Sequence, residues 1–169
     1  MARVVSELSM SLDGFIADPQ DGVPHIFDWY GNGPVHITTA KEGLDFHVAE
    51  ASAAHIREAT ANVGSLLVGR RLFNVTNGWE GQHPFDVPVV VLTHNVPTDW
   101  EHIDWAPFTF VTDGIEKAVQ TAKDIGGDKT VAVAGGVTPA NASTQDSSMR
   151  SSSTSLPSCS EPGSRSSRT

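Results

Sequence analysis

The feature that most constrains this chain is a set of short apolar runs without polar alternation. They are Ser65-Leu66-Leu67-Val68, Val87-Pro88-Val89-Val90-Val91-Leu92, Phe108-Thr109-Phe110-Val111 and Thr130-Val131-Ala132-Val133-Ala134. A strand that is apolar on both sides must be covered on both faces, as happens in parallel sheets packed under helices. Pro88 is compatible with such a strand only at its start, where no ladder hydrogen bond is lost. The intervening stretches supply the helices. Ala49 to Asn62 reads as a helix on propensity, with Ala51, Ala54, Ile56 and Ala59 as packing positions. Asp113 reads as the N-cap of a second helix, whose apolar face carries Ile115, Ala118, Val119, Ala122 and Ile125 before Gly126-Gly127 closes it. Arg3 to Met10 alternates and supplies a first strand. The implied class is α/β, a mostly parallel central sheet with helices on both faces.

A length of 169 residues fits one domain. The balance of 11 Lys+Arg against 20 Asp+Glu gives a net charge of −9, which lacks the cationic face of a general nucleic-acid or anionic-membrane binder. A single cysteine, Cys159, excludes an internal disulfide framework and a cysteine-rich zinc site. No apolar run approaches the ~18 residues of a membrane span, so a soluble cytoplasmic protein is expected. A hydrolytic metal site on His83, Asp86 and His94 matches no helix-borne ligand spacing, and no metal is expected.

The composition breaks near residue 137. Residues 1–136 contain 5 of the 17 serines, and residues 137–169 contain the other 12 with no aromatic residue. Such a segment buries too little to offset ~1–2 kcal/mol of backbone entropy per ordered residue, so a disordered Ser-rich tail is expected there. A second reading is translation out of frame. Serine codons of the TCN type, read one base earlier, become Phe, Leu, Ile or Val codons. The shifted frame permits Leu-Ile-Asp-Glu from Ser147 and Pro-Val-Leu-Leu-Gly-Ala-Gly around Pro157 to Gly163.

Chemistry in an open α/β sheet sits beyond the carboxyl ends of its strands. Four segments deliver glycines and polar residues to that edge: Asp13-Gly14 with Ile16-Ala17, Gly69-Arg70-Arg71, Thr93-His94, and Gly135-Gly136. Glycines admit close backbone approach, and paired arginines suit phosphate. The stretch from residue 18 to 36, rich in Asp, Gly and Pro with Phe27, Trp29 and Tyr30, reads as a long loop over the same edge.

Ser9-Met10-Ser11-Leu12-Asp13-Gly14-Phe15-Ile16-Ala17, Leu67-Val68-Gly69-Arg70-Arg71-Leu72-Phe73, Asn77-Gly78-Trp79, Val87 to His94 and Val131 to Gly136 occur in an order that carries a resemblance. The chain resembles the dihydrofolate reductase-like superfamily, most closely proteins related to the reductase domain of the bifunctional riboflavin-biosynthesis deaminase–reductase. The resemblance covers residues 3–136 and implies a three-layer sandwich, here without its C-terminal strands. It implies a reductase domain over 1–136 that transfers hydride from NADPH to a small heterocyclic or pyrimidine-ribosyl substrate. The alternative is an NADP-binding domain without turnover, or an inactive truncated product.

By the same resemblance, Ile16 and Ala17 border the nicotinamide and Gly69, Arg70 and Arg71 lie at the pyrophosphate. Thr93 and His94 meet the 2′-phosphate, and Gly135 and Gly136 let backbone touch the cofactor. Asp13 and Asp28 are the candidate proton donors, with a loop water as the alternative, and a homodimer is expected. The pattern departs from the family at Leu72, where dihydrofolate reductases carry Thr, and at His94, where Arg is common. No acid matches the folate-binding carboxylate, so folate is unsupported as substrate.

Overall fold

A computed structural model describes residues 2–23 and 25–135, together with the backbone of residues 150–155. The strands are β1 (Val4–Met10), β2 (Val35–Ile37), β3 (Phe46–Val48), β4 (Val63–Gly69), β5 (Val89–Leu92), β6 (Phe108–Val111), β7 (Thr130–Ala134) and β8 (Arg150–Ser155). The helices are α1 (Glu50–Ala61), α2 (Arg70–Val75) and α3 (Ile115–Gly126). Six strands form one sheet in the order β6-β5-β4-β7-β1-β8, and every pairing in it is parallel. Strands β2 and β3 pair as an antiparallel hairpin, of which only Val35 and His36 fall in the stretch that the sequence presents as loop.

The apolar runs are continuous because both faces of the sheet are covered. Val4, Leu67, Val90, Val131 and Val133 point to one face and meet Ala118, Val119 and Ala122 of α3. Their neighbours Leu66, Val68, Val89 and Val91 point to the other, against Phe73 of α2 and Trp100. A separate cluster packs Ala53 and Ile56 of α1 on Phe46 and Val48 of the hairpin. The period-two alternation of a strand thus serves two apolar layers.

Three local expectations are corrected. Helix α3 is capped by Gly114, not Asp113. Gly114 has φ +95°, and its carbonyl accepts the first helical bond from the Ala118 N–H at 3.1 Å. Only glycine adopts that angle at little cost, which moves the helix start one residue on. In α1 the buried positions are Ala53 and Ile56, whereas Ala51 and Ala54 are exposed. Its packing face is set by the hairpin's Phe46 and Val48, and one bulky residue is too little apolar signal to fix the phase.

The third correction concerns the tail. Residues 150–155 form β8 along the outer edge of β1, from Val5 opposite Arg150 to Met10 opposite Ser155. Backbone pairing alone builds such a ladder, and an edge strand tolerates a polar sequence. The strand β7 lies between β4 and β1 and is paired on both sides. Gly136 and the rest of the segment 137–169 lie outside the described residues.

Candidate functional site

In a parallel sheet all carboxyl ends share one edge. From adjacent strands β4 and β7 the chain leaves in opposite directions, to β5 on one side and towards β8 beyond β1 on the other. Such a reversal opens a crevice at the carboxyl ends of the two strands. Val68 pairs with Ala134, so the next residues, Gly69 and Gly135, lie side by side at the crevice. Gly135 has φ +97°, and a Cβ placed there would still be 3.8 Å from Leu72. Backbone conformation, not lack of space, therefore requires glycine at this position.

The two arginines flank Gly69 and diverge. Arg70 donates from Nη1 to Thr93 Oγ1 at 3.1 Å and to the Asn95 carbonyl at 2.6 Å, and from Nε to Asn74 Oδ1 at 2.8 Å. These bonds join the carboxyl ends of β4 and β5. Thr93 is buried, and its hydroxyl donates to the Asn95 carbonyl at 2.9 Å, while His94 beside it is exposed. Arg71 turns towards the long loop and pairs with Asp21 through Nε to Oδ2 at 3.0 Å and Nη2 to Oδ1 at 2.8 Å. The edge therefore carries an Arg70–Thr93–His94 group on the β5 side and Arg71 on the β1 side. Helix α2 is too short at six residues for its dipole to add much.

Beyond β1, Ser11 to Phe15 forms a tight exposed turn. The Ser11 hydroxyl donates to Asp13 Oδ1 at 2.6 Å and accepts the Phe15 N–H at 2.9 Å. Ile16 and Ala17 follow it, half-buried. The carboxylate of Asp13 is thus engaged in its own turn, and Asp28 is exposed 3.3 Å from His25. Neither makes a described contact with the crevice.

Asp21 was missed as a site residue, although Asp18-Pro19-Gln20-Asp21-Gly22 is a turn sequence. Asp18 Oδ1 accepts the N–H groups of Gln20 and Gly22, and Asp21 stands at φ +65° with its carboxylate on Arg71. Also missed were the contact of Glu7 in β1 with His55 in α1 and the bond from Trp29 Nε1 to Ser9 Oγ at 3.2 Å.

The amino edge is built differently. His83 lies between Trp79 and Phe85, and burial pushes its pKa down to about 4. With Asp86 it precedes β5, whereas His94 follows that strand, so the three do not converge. A shallow depression of about 340 Å³ at this edge is lined by Arg57, Thr60, Phe85 and Asp86, among others. It lies at the opposite end of the strands from the glycine crevice. No group of metal-ligating side chains occurs among the described residues. No helix among them is long and apolar enough to cross a membrane.

No protein-family model and no curated protein sequence matches the chain. Among solved structures, a riboflavin biosynthesis protein from Shewanella sp. PV-4 matches with a TM-score of 0.50. Its sequence is 23% identical, and the match covers 82% of this chain and 67% of that one. The fold is the dihydrofolate reductase-like α/β sandwich. A diaminohydroxyphosphoribosylaminopyrimidine deaminase/5-amino-6-(5-phosphoribosylamino)uracil reductase from Thermotoga maritima also matches, with a TM-score of 0.46 and 13% identity. That match covers 83% of this chain and 41% of the other. The dihydrofolate reductase-like sandwich accounts for the placement of α3 on one face of the sheet and α2 on the other.

Proposed function

We propose that this chain is an NADPH-dependent reductase of the riboflavin-biosynthesis type, acting on a small heterocyclic or pyrimidine-ribosyl substrate. The observation that carries this reading is the Val68–Ala134 register, which brings the following glycines, Gly69 and Gly135, to the reversal point of the sheet, with Arg70, Arg71 and His94 on the same edge. Cationic side chains gathered at one edge of a chain with net charge −9 suit a polyanionic dinucleotide.

The residues present fit that group. The positive φ of Gly135 leaves a surface without a side chain, and the exposed His94 stands next to the Arg70–Thr93 contact. Arg71 and the Gly69 backbone would hold the pyrophosphate, and Ile16 and Ala17 the nicotinamide amide. Arg70, which the resemblance puts at the pyrophosphate, is braced on Thr93 and would instead meet the 2′-phosphate with His94. When bound, NADPH supplies hydride from C4 of its dihydronicotinamide. The chain's own work is orientation: charge-assisted bonds fix the phosphates, and the half-buried Ile16 and Ala17 limit water at the ring. A second copy of the chain completes this reading as a homodimer.

Both arginines are also satisfied by protein groups, Asn95 O and Asp21, so a dinucleotide would have to share or displace those partners. The alternative reading is a dinucleotide-binding domain without turnover. The test is a fluorescence titration with NADPH and NADH, followed by single-turnover nicotinamide oxidation with 5-amino-6-(5-phosphoribosylamino)uracil as probe. NADPH binding tighter than NADH with probe-dependent oxidation supports the reductase. Saturable binding without oxidation supports the alternative, and equal affinity for the two nucleotides counts against the cofactor assignment.

A further inference from the structure

The α1 side of β1 carries side chains that the crevice does not use. Val4 and Ser6 share a face with Val131 and Val133, and Ser6 Oγ donates to the Val133 carbonyl at 3.1 Å. Val5, Glu7 and Ser9 therefore project from the opposite face. There Glu7 Oε1 meets Nε2 of His55 on α1. Two residues further along β1, towards the carboxyl edge, Ser9 Oγ holds the indole N–H of Trp29. Tyr30 stacks between Trp29 and Phe46, with ring centroids 4.1 and 4.3 Å away. Its phenol is pushed up to about 12, first by burial and then by the charge on Glu7. Three elements thus converge along the half of β1 nearest the carboxyl edge, beside the strand that ends in Gly135.

This pair differs from the other imidazole–carboxylate contacts among the described residues. His25–Asp28, His36–Asp45 and Glu101–His102 each lie within one loop or hairpin. Glu7–His55 bridges the sheet and a helix, and its side chains remain 33% and 49% exposed, open to a ligand.

We propose that this face of β1 lies on the substrate side of the site, with His55 as proton donor and Glu7 as the residue that positions its ring. The proposal rests on the reductase reading above, whose acceptor would be a carbon–nitrogen or carbon–oxygen double bond, and adds to it the group that protonates the heteroatom. Hydride from the dihydronicotinamide forms a C–H bond at the acceptor carbon, and the π pair moves to the heteroatom. That heteroatom takes the proton from Nδ1 of the His55 imidazolium, giving an amine or alcohol. His55 is left neutral with Nε2–H still on Glu7, and solvent returns the proton. A carboxylate on one ring nitrogen fixes which nitrogen transfers the proton. The groups facing His55 are Glu7 from β1 and, through Glu7, Tyr30. The hairpin packs Phe46 and Val48 towards α1 and leaves His36 and His47 exposed.

The test uses the full chain as wild type, His55→Asn and Glu7→Gln. NADPH affinity is read by nicotinamide fluorescence, and single-turnover oxidation is followed from pH 5.5 to 8.5 with the pyrimidine probe and a panel of small aldehydes. Removing an interaction made only in the transition state leaves ground-state binding intact, so NADPH affinity stays within about twofold in both variants. The wild-type rate falls as pH rises through the imidazole range. His55→Asn loses roughly 10²–10⁴-fold and becomes flat with pH, the scale of a lost general acid. Glu7→Gln loses less but shifts the pH profile, which a merely structural contact would not do. Variants with wild-type rates and profiles overturn the proposal. So does a wild type that binds NADPH but oxidises it with neither probe. A wild type that does not bind NADPH overturns the reductase reading itself, and this inference with it.

Discussion

The Asp21–Arg71 pair makes a quantitative test of the crevice, because the carboxylate occupies the guanidinium that a pyrophosphate would need. Asp21→Asn removes the charge and keeps the shape, and asparagine accepts φ +65° as readily as aspartate. The Arg71 side chain is 75% exposed, so the bidentate pair is heavily screened and worth about 0.2–1 kcal/mol. A phosphate displacing Asp21 must first overcome that amount. Removing the competitor therefore tightens dinucleotide binding by up to about fivefold, since 1.4 kcal/mol corresponds to tenfold. A further small gain comes from the lost repulsion between Asp21 and phosphate. At about 8 Å in water that is roughly 0.5 kcal/mol per charge.

Because the pyrophosphate is common to both nucleotides, NADPH and NADH gain by the same factor and their ratio stays constant. The assay is fluorescence titration of both nucleotides at low and high salt. The gain shrinks at high salt, where the Debye length drops to about 3 Å at 1 M. Arg71→Ala works in the opposite direction, losing about 1.5–3 kcal/mol for the charged hydrogen bond. If Asp21→Asn weakens binding of both nucleotides, Asp21 is holding the site together and the competition argument fails. If only the NADPH/NADH ratio changes, Arg71 belongs at the 2′-phosphate.

Other outcomes follow from the same geometry. His94→Ala lowers the NADPH/NADH affinity ratio in the same titration, because a polar group at the 2′-phosphate is lost while the contacts shared with NADH are untouched. Leu67 is fully buried at the centre of the sheet, and Leu67→Ala costs about 2–5 kcal/mol in urea unfolding with nucleotide absent. His83, held neutral by burial with a pKa of about 4, titrates near 6.5 when unfolded. Above pH 6.5 both states are neutral. As pH falls from 6.5 to 4 the unfolded state takes up the proton first, so stability declines by about 3 kcal/mol over that window, and His83→Gln removes the slope.

The fold was legible where a strand announces itself by length and continuity. Leu66 to Val68 and Val89 to Leu92 are apolar without interruption because α2 and α3 cover opposite faces, and a strand with one face in water would not tolerate that pattern. The hairpin of β2 and β3 was not legible. Val35–Ile37 and Phe46–Val48 are three residues each, too short for alternation to stand out beside the glycines and prolines around them. Nor was β8 legible, since a polar edge strand is defined by the backbone groups of its neighbour and not by its own side chains.

The candidate site divides along the same physical line. Gly69, Gly135, Arg70 and Thr93 could be placed from sequence because strand ends fix them, and the parallel sheet brings every strand end to one edge. Asp21, Glu7 and His55 could not, because their roles depend on tertiary meetings between residues far apart in the chain. Asp21 meets Arg71 across 50 residues and Glu7 meets His55 across 48. Periodicity places a side chain on a face but does not say what stands opposite. Glu7 is the plainest instance. In the alternation of β1 it is an ordinary outward polar position, and only the packing of α1 over that face supplies the imidazole that gives its carboxylate something to hold. The reasoning that finds a strand end is therefore sufficient for a crevice built from backbone and glycine. A proton-transfer pair between a strand and a helix requires the packed layers as well.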